Sequence, residues 1–257
     1  MDVELNYVVC DGEVTIMETE YAAGHLVIPA FIEGCPVTVI GENAFASCDE
    51  LISVVIPEGV HTIGECAFDY CHALTSVTLP STLRYIGHDA FWQTALTSLA
   101  LPDGLLSIGA NAFADCDVAL VIIPDSVRVL GNEAFADCCK LQSLCIGSGL
   151  RCMGTGAFKG CSALRCVCIN EGVPYIGDSC FEDCESLREI LIPEGVYAIG
   201  HGAFWGCSAL HEVTLPASLA AFTGDDPFED DMDVDRFITP AGSWIQTWIF
   251  DHKPCYL

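Results

Sequence analysis

Residues 74–94 of this 257-residue chain read LTSVTLPSTLRYIGHDAFWQT, and the same pattern returns along most of the sequence. The Ala-Phe pair marks the pattern most clearly, because it recurs every 22 or 23 residues. Its phenylalanines are Phe45, Phe68, Phe91, Phe113, Phe135, Phe158, Phe181 (where Cys180 replaces the alanine) and Phe204, with a degenerate ninth copy at Phe228. A fixed period of this length is typical of a solenoid, in which each unit packs against its two neighbours.

Other positions keep the same period. A glycine stands four residues before each of the first eight phenylalanines, and a cysteine stands three residues after seven of them. The glycines are Gly41, Gly64, Gly87, Gly109, Gly131, Gly154, Gly177 and Gly200. The cysteines are Cys48, Cys71, Cys116, Cys138, Cys161, Cys184 and Cys207. The repeated unit is therefore L-x-x-V-x-I-P-x-x-V-x-x-I-G-x-x-A-F-x-x-C.

The first six residues of the unit, such as residues 74–79, have the two-residue alternation of a strand with one buried face. A proline then ends the strand, the glycine supplies a turn, and the Ala-Phe segment returns as a short helical or irregular turn. A circuit of about 23 residues lies in the range of leucine-rich repeats. The sequence therefore predicts a mostly β leucine-rich-repeat solenoid: a right-handed stack with a parallel β-sheet on one face and short turns, 3-10 or helical segments on the other.

The two ends depart from the repeat and are predicted to be caps of one continuous domain. Residues 1–34 form the N-terminal β cap, in which Asp11-Gly12 predicts a hairpin. Residues 35–240 hold eight full repeats and one degenerate repeat. Residues 241–257 form the C-terminal cap, in which Gly242-Ser243 offers an N-cap for an apolar helix that covers the last unit.

Charge and composition restrict the partners. Asp and Glu number 36 against 9 Lys and Arg, giving a formal net charge of −27, so we expect no nucleic acid partner. No apolar run has the eighteen residues that span a bilayer, so we expect no membrane insertion. The N-terminus is acidic and no apolar signal segment follows it, and 17 is an odd number of cysteines. These features favour the cytoplasm, with secretion or the cell surface as the alternative.

The unit, with residues 32–41 entering it and 240–243 leaving it, resembles the BspA-like subfamily of leucine-rich repeats over residues 5–257. Members of this subfamily are commonly bacterial or protozoan surface proteins that adhere to host proteins or other cells. The resemblance therefore implies a binding role.

The outward positions of the repeated strands form the candidate binding surface, here called the strand face. These positions are Val55, Thr78, Ala100, Ile122, Cys145, Cys168, Leu191 and Thr214. They are flanked by Ser53, Ser76, Ser98, Leu120, Ser143, Cys166, Glu189 and Glu212. Because large exposed apolar surfaces tend to mark partner sites, we predict a protein or peptide partner here; β-propensity alone is the alternative explanation. The alternative function is a cell-surface adhesin that recognises a host protein or a glycan.

Two tryptophans and three cysteines are further candidates. Trp92 and Trp205 could each anchor a partner or stack on a sugar, against the alternative of local packing. The thiols of Cys145, Cys166 and Cys168 could meet on the strand face and bind a soft metal or form a redox pair, against the alternative of small apolar filling. The repeated cysteines are predicted to point inward as a structural ladder.

No other motif indicates chemistry. The sequence Asp231-x-Asp233-x-Asp235 begins like a calcium loop, but Arg236 stands where glycine is required, which favours a solvated loop. No G-x-S-x-G, P-loop or H-E-x-x-H motif is present, so we predict no enzymatic activity and no cofactor. The histidines stand at no recognisable spacing from a nucleophile: His25, His61, His72, His88, His201, His211 and His252.

Overall fold

The computed structural model describes residues 4–19, 21–224, 226–228, Val234 and 236–252. The chain winds through about nine circuits of parallel strands and turns, and its described part contains one helix, Trp244–His252. The predicted mostly β solenoid is confirmed.

The first half of each unit forms the long-strand ladder, which is divided into three parallel sheets. The first sheet joins Ala23–Val27, Glu50–Val55 and Ser76–Thr78. The second joins Leu120–Ile123, Ser143–Ile146 and Cys166–Ile169. The third joins Glu189–Leu191, Glu212–Thr214 and Arg236–Ile238. Alternate side chains point inward, as predicted: Val121 and Leu144 are buried, whereas Leu120 and Ile122 are exposed.

The prediction of a strand at residues 98–100 was wrong, because this segment of the described chain forms no strand. The units after Phe91 and Phe113 are one residue shorter before the strand, so Leu96 and Val118 stand five rather than six residues after the phenylalanine. Thr97 N nevertheless donates to Thr75 O of the preceding unit at 3.3 Å. The division between the second and third sheets falls between full-length units, and nothing in the structure explains it.

A second ladder of strands, the short-strand ladder, was not expected from the sequence. It lies just before the repeated glycines and begins with the hairpin Tyr7–Cys10 and Glu13–Ile16, turned at Asp11-Gly12. Cys35–Ile40 follows and also pairs with Phe31–Ile32. The later strands are Thr62–Ile63, Tyr85–Ile86, Ser107–Ile108, Val129–Leu130, Cys152–Met153, Tyr175–Ile176, Ala198–Gly200 and Ala221–Thr223.

The Ala-Phe segments form the turn face. The residues two before and two after each phenylalanine of the full units have a left-handed backbone, as at Asn43 (φ 54°) and Ser47 (φ 58°). This geometry points the phenylalanine amide at the next unit, so that Phe45 N donates to Ala67 O at 2.8 Å. Hydrogen bonds between neighbouring units therefore run along the turn face as well as along both strand ladders.

The core is built from repeated ladders of like side chains. The phenylalanine rings from Phe45 to Phe228 are fully buried and stack with centroids 5.0 to 5.7 Å apart. The repeated cysteines point inward, as predicted, and bond to the backbone of the preceding unit; Cys71 Sγ donates to Phe45 O at 3.1 Å. The carbonyl of Phe45 also accepts a hydrogen bond from Cys48 N at 3.3 Å, so the thiol adds a second bond to this buried carbonyl.

The helix Trp244–His252 packs on the last unit. Ile245 is fully buried, and Trp244 Nε1 donates to Leu219 O at 2.6 Å. The helix begins directly after Ser243, but Ser243 Oγ is buried and has no hydrogen-bond partner in the described part of the chain. Gln246 Oε1 instead accepts a hydrogen bond from Gly242 N at 2.8 Å. The prediction that the Ser243 side chain caps the helix through a hydrogen bond was therefore wrong.

Candidate binding face

The strand face is built by the register of the long-strand ladder. Parallel pairing places Ile122 beside Cys145 and Cys145 beside Cys168, so the outward side chains of successive units lie in rows. The large aliphatic side chains in these rows face solvent: Leu120 is 52% exposed, Ile122 55% and Leu191 60%. The long-strand ladder thus presents apolar side chains to solvent.

The second and third sheets enclose a groove of about 550 Å³, the strand-face groove. Five of the predicted strand-face positions line it: Ile122, Cys145, Cys168, Leu191 and Thr214. Val55, Thr78 and Ala100 lie outside the groove, before the second sheet begins. The predicted surface is thus concentrated in its second half.

Charged residues form part of the groove, and one of them was not singled out from the sequence. Glu189 and Glu212 line it, and Arg165 lines it from the connection before the strand. Arg236 Nη1 donates to Glu212 Oε2 at 3.2 Å, which leaves Glu189 as an exposed acid beside Leu191. The sequence feature that could have identified Arg165 as a groove residue is its place directly before an outward strand position, because a long side chain there can reach over the sheet.

The two candidate anchors, Trp92 and Trp205, lie on the turn face and not in the strand-face groove. The ring of Trp92 lies 5.0 Å from that of Tyr70, between centroids. Trp205 makes an edge contact with His201 at 4.5 Å, and its Nε1 donates to Asp226 O at 3.3 Å. Both indoles are partly buried in these local contacts, which favours the local-packing interpretation.

The structure brings two of the three candidate thiols together. Cys145 lies directly opposite Cys168, whereas Cys166 lies opposite Ser143. Burial, and then the charge and the hydrogen bond of the neighbouring Cys168 thiol, raise the pKa of Cys145. All 16 cysteines that the structure describes are free thiols. No group of three or more His, Cys, Asp or Glu side chains in the described residues is arranged to hold a metal ion.

A pair of acids on the turn face was not noticed in the sequence. Asp69 Oδ1 and Asp89 Oδ1 are buried and have no hydrogen-bond partner among the described residues. Burial, and then the charge of Asp89, raise the pKa of Asp69 to about 6. The other carboxylate oxygen of Asp89, Oδ2, contacts Nε2 of the His88 ring at 2.8 Å.

Two further predictions concern the calcium-like acidic segment and membrane insertion. The acidic segment with the calcium-like start, Asp231, Asp233 and Asp235, lies outside the described residues. Within the described chain, no helix has the length and apolar character needed to cross a bilayer.

Comparison with known proteins places this architecture among bacterial repeat proteins. The family model for the BspA type leucine rich repeat region matches six copies, over residues 38–119 and 106–234. A leucine-rich repeat protein from Bacteroides ovatus ATCC 8483 is 26% identical with a TM-score of 0.66, over 93% of this chain and 70% of that one. The T. pallidum leucine rich repeat protein is 30% identical with a TM-score of 0.66, over 72% of this chain and 88% of that one.

A more distant similarity shows the fold alone. A leucine rich cell surface protein from Faecalibacterium prausnitzii A2-165 is 23% identical with a TM-score of 0.51, over 96% of both chains. No curated protein matches this chain significantly.

Proposed function

This chain belongs to the BspA-type leucine-rich repeat family, and on that premise we propose that it is a non-enzymatic interaction module whose strand-face groove binds an extended segment of a partner protein. Proteins of this family are generally interaction or surface-associated repeat scaffolds. Repeat proteins commonly bind along the extended face that their stacked units create.

The observation that carries the proposal is the exposure of large aliphatic side chains on the strand face. Leu120, Ile122 and Leu191 are each more than half exposed, although the sequence could place polar residues there without disturbing the core. Exposed apolar patches on a folded protein tend to mark surfaces that a partner covers. Within the second sheet, the middle strand Ser143–Ile146 is paired on both sides, so Cys145 offers a partner side-chain contacts.

The shape of the groove indicates the chemistry of the partner. Between Ile122 and the strand of Leu191 lie two small side chains, Cys145 and Cys168, which leave a depression between larger walls. An apolar side chain of the partner fits this depression. Glu189 beside it and the net charge of −27 favour basic residues next to that apolar side chain.

A peptide selection with matched variants tests the proposal. We expect peptides selected from a random library on the unmodified protein to combine apolar and basic residues. They should lose about tenfold or more in affinity, equivalent to about 1.4 kcal/mol, on the double variant Ile122→Asp/Leu191→Asp. The control variant Val129→Asp/Tyr197→Asp changes two exposed apolar residues beside or within the short-strand ladder and should retain binding.

Measurements of thermal stability and of glycan binding complete the test. Both double variants should melt at the temperature of the unmodified protein, because all four side chains are exposed. The proposal fails if the groove variant binds the selected peptides as well as the control does. It also fails if a glycan array gives binding that the groove variant abolishes while no peptide is enriched, which would favour a carbohydrate partner.

A further inference from the structure

We propose that Cys145 and Cys168 form a dithiol modification site on the strand face, which a low-molecular-weight disulfide oxidises to a disulfide between neighbouring repeats. The proposal rests on the strand register and on the exposure of the two thiols. It is independent of whether the groove binds a partner.

The register places the two cysteines as direct neighbours. Cys145 and Cys168 occupy equivalent positions in adjacent parallel strands, and both side chains point to the outward face. Neighbouring strands are separated by about 4.8 Å, which lies within the range of about 4.4–6.8 Å between the Cα atoms of disulfide-bonded cysteines. Burial, and then the charge of the neighbouring Cys168 thiol, raise the pKa of Cys145, as expected for two thiols at neighbouring positions.

Exposure distinguishes this pair from the stacked cysteines of the core. Cys161 and Cys184 also stand at equivalent positions of successive units, but both are fully buried. Each donates its thiol to a backbone carbonyl, Cys161 to Phe135 O at 3.3 Å and Cys184 to Phe158 O at 3.4 Å. A disulfide reagent cannot reach them in the folded protein.

The exposed Cys166 provides the complementary comparison. It lies two residues from Cys168 on the same face, but its neighbour in the adjacent strand is Ser143. Cys145 is partly exposed and Cys168 is exposed. Among the described cysteines, the pair of Cys145 and Cys168 combines direct register with access to solvent.

The chemistry is two successive thiol–disulfide exchanges. The more exposed Cys168, as the thiolate, attacks one sulfur of the reagent R–S–S–R, forms a mixed disulfide and releases one R–S⁻. Cys145 then loses its proton to solvent and attacks the Cys168 sulfur, which breaks the mixed disulfide and releases the second R–S⁻. Two protein thiols are oxidised, the reagent is reduced to two thiols, and the two protons released by the cysteines balance the two thiolates. Excess thiol reverses both steps.

Oxidised glutathione is the probe for the test. The reduced full-length protein is treated with it under native conditions, remaining thiols are alkylated, and the peptides are mapped by mass spectrometry. We expect a Cys145–Cys168 cross-link, with at most a mixed disulfide on Cys166 and with Cys161 and Cys184 still reduced. In the Cys145→Ser variant the mixed disulfide should persist on Cys168, and in the Cys166→Ser variant the cross-link should form as in the unmodified protein.

A second probe measures the separation of the thiols without oxidation. Phenylarsine oxide bridges two thiols, so one equivalent should protect both Cys145 and Cys168 from alkylation in the unmodified protein and should leave Cys168 unprotected in Cys145→Ser. The proposal is overturned if Cys168 keeps its mixed disulfide in the unmodified protein. A cross-link that joins Cys166 to either cysteine also overturns it.

Discussion

The repeated glycine shows most clearly what a single residue does in this fold. In the full repeats this glycine does not have the left-handed backbone that favours glycine elsewhere. Its role is close approach: a Cβ built on Gly87 would lie 2.6 Å from Gly64 C and 2.7 Å from Glu65 N. The backbones of neighbouring units therefore contact each other at the glycine, which stands directly before the turn, and this close approach is the reason that a Cβ is resisted there.

Gly87→Ala tests this explanation. We expect the variant to lose about 1–3 kcal/mol of unfolding free energy, because the added methyl group meets backbone that cannot move without disturbing both ladders. Chemical denaturation followed by circular dichroism measures the loss.

Gly104→Ala is the matched control for this substitution. Gly104 also lacks a left-handed backbone, but a Cβ there would meet the flexible guanidinium of Arg84 instead of backbone. We expect a change of no more than about 0.5 kcal/mol, because only that side chain must move. Equal losses in the two variants would show that backbone contact is not the reason for the glycine.

At the scale of the element, carboxylates join the turns that follow successive long strands. Glu58 Oε1 accepts a hydrogen bond from Ser81 N at 3.0 Å, and Asp125 Oδ1 accepts one from Ser148 N at 2.7 Å. Glu194 likewise accepts hydrogen bonds from Ala217 N at 2.8 Å and Ser218 N at 3.1 Å. Hydrogen bonds from backbone amides hold the pKa of each of these carboxyls below its usual value.

These lowered pKa values predict the direction of a pH effect. A carboxyl whose pKa is lower in the folded state stabilises the fold above its unfolded pKa, and this stabilisation is lost as the pH falls through the folded pKa. We therefore expect the triple variant Glu58→Gln, Asp125→Asn and Glu194→Gln to melt below the unmodified protein at pH 7. The difference should shrink as the pH approaches 3, as measured by thermal melts across this range.

Glu171 supplies the control for the pH series. It stands in the same turn of another unit, but among the described residues no hydrogen bond to its carboxylate is found. Glu171→Gln should therefore leave the melting temperature unchanged at both ends of the pH range. A difference for the triple variant that is the same at pH 7 and pH 3 would contradict the proposed role of the charged carboxylates.

At the scale of the whole molecule, the net charge of −27 is poorly compensated. The ion pairs between lysine or arginine and acids in the described chain are largely exposed, such as Lys140 with Asp117 at 2.8 Å. Exposed pairs of this kind contribute little to stability. Repulsion among the excess acids therefore opposes the compact fold and should be screened by salt.

Salt should consequently stabilise this protein. We expect the melting temperature to rise with NaCl, with most of the increase below about 0.2 M, because screening of exposed charges is nearly complete when the Debye length falls to about 8 Å. Scanning calorimetry at constant pH measures the effect. A flat response, or a rise that begins only at molar salt, would show that self-repulsion does not limit the stability of the fold.

Much of the architecture could be predicted from the period of the sequence. The buried phenylalanines, the inward cysteines and the exposed alternate positions of the long strands all follow from it. The same comparison of equivalent positions placed Cys145 next to Cys168. The comparison did not separate Cys166 from that pair. Whether two of the three thiols lie next to each other depends on which strand each thiol occupies and which residue lies opposite it.

The sequence by itself determined the repeat, its mostly β character and the inward or outward direction of its side chains, because these depend on local periodicity alone. Only the tertiary structure decided the short-strand ladder, the division of the long strands into three sheets and the groove between Ile122 and Leu191. Each of these depends on how closely one unit lies against the next. That distance is set by the contacts of backbone on backbone, as at Gly87, which no single repeat contains.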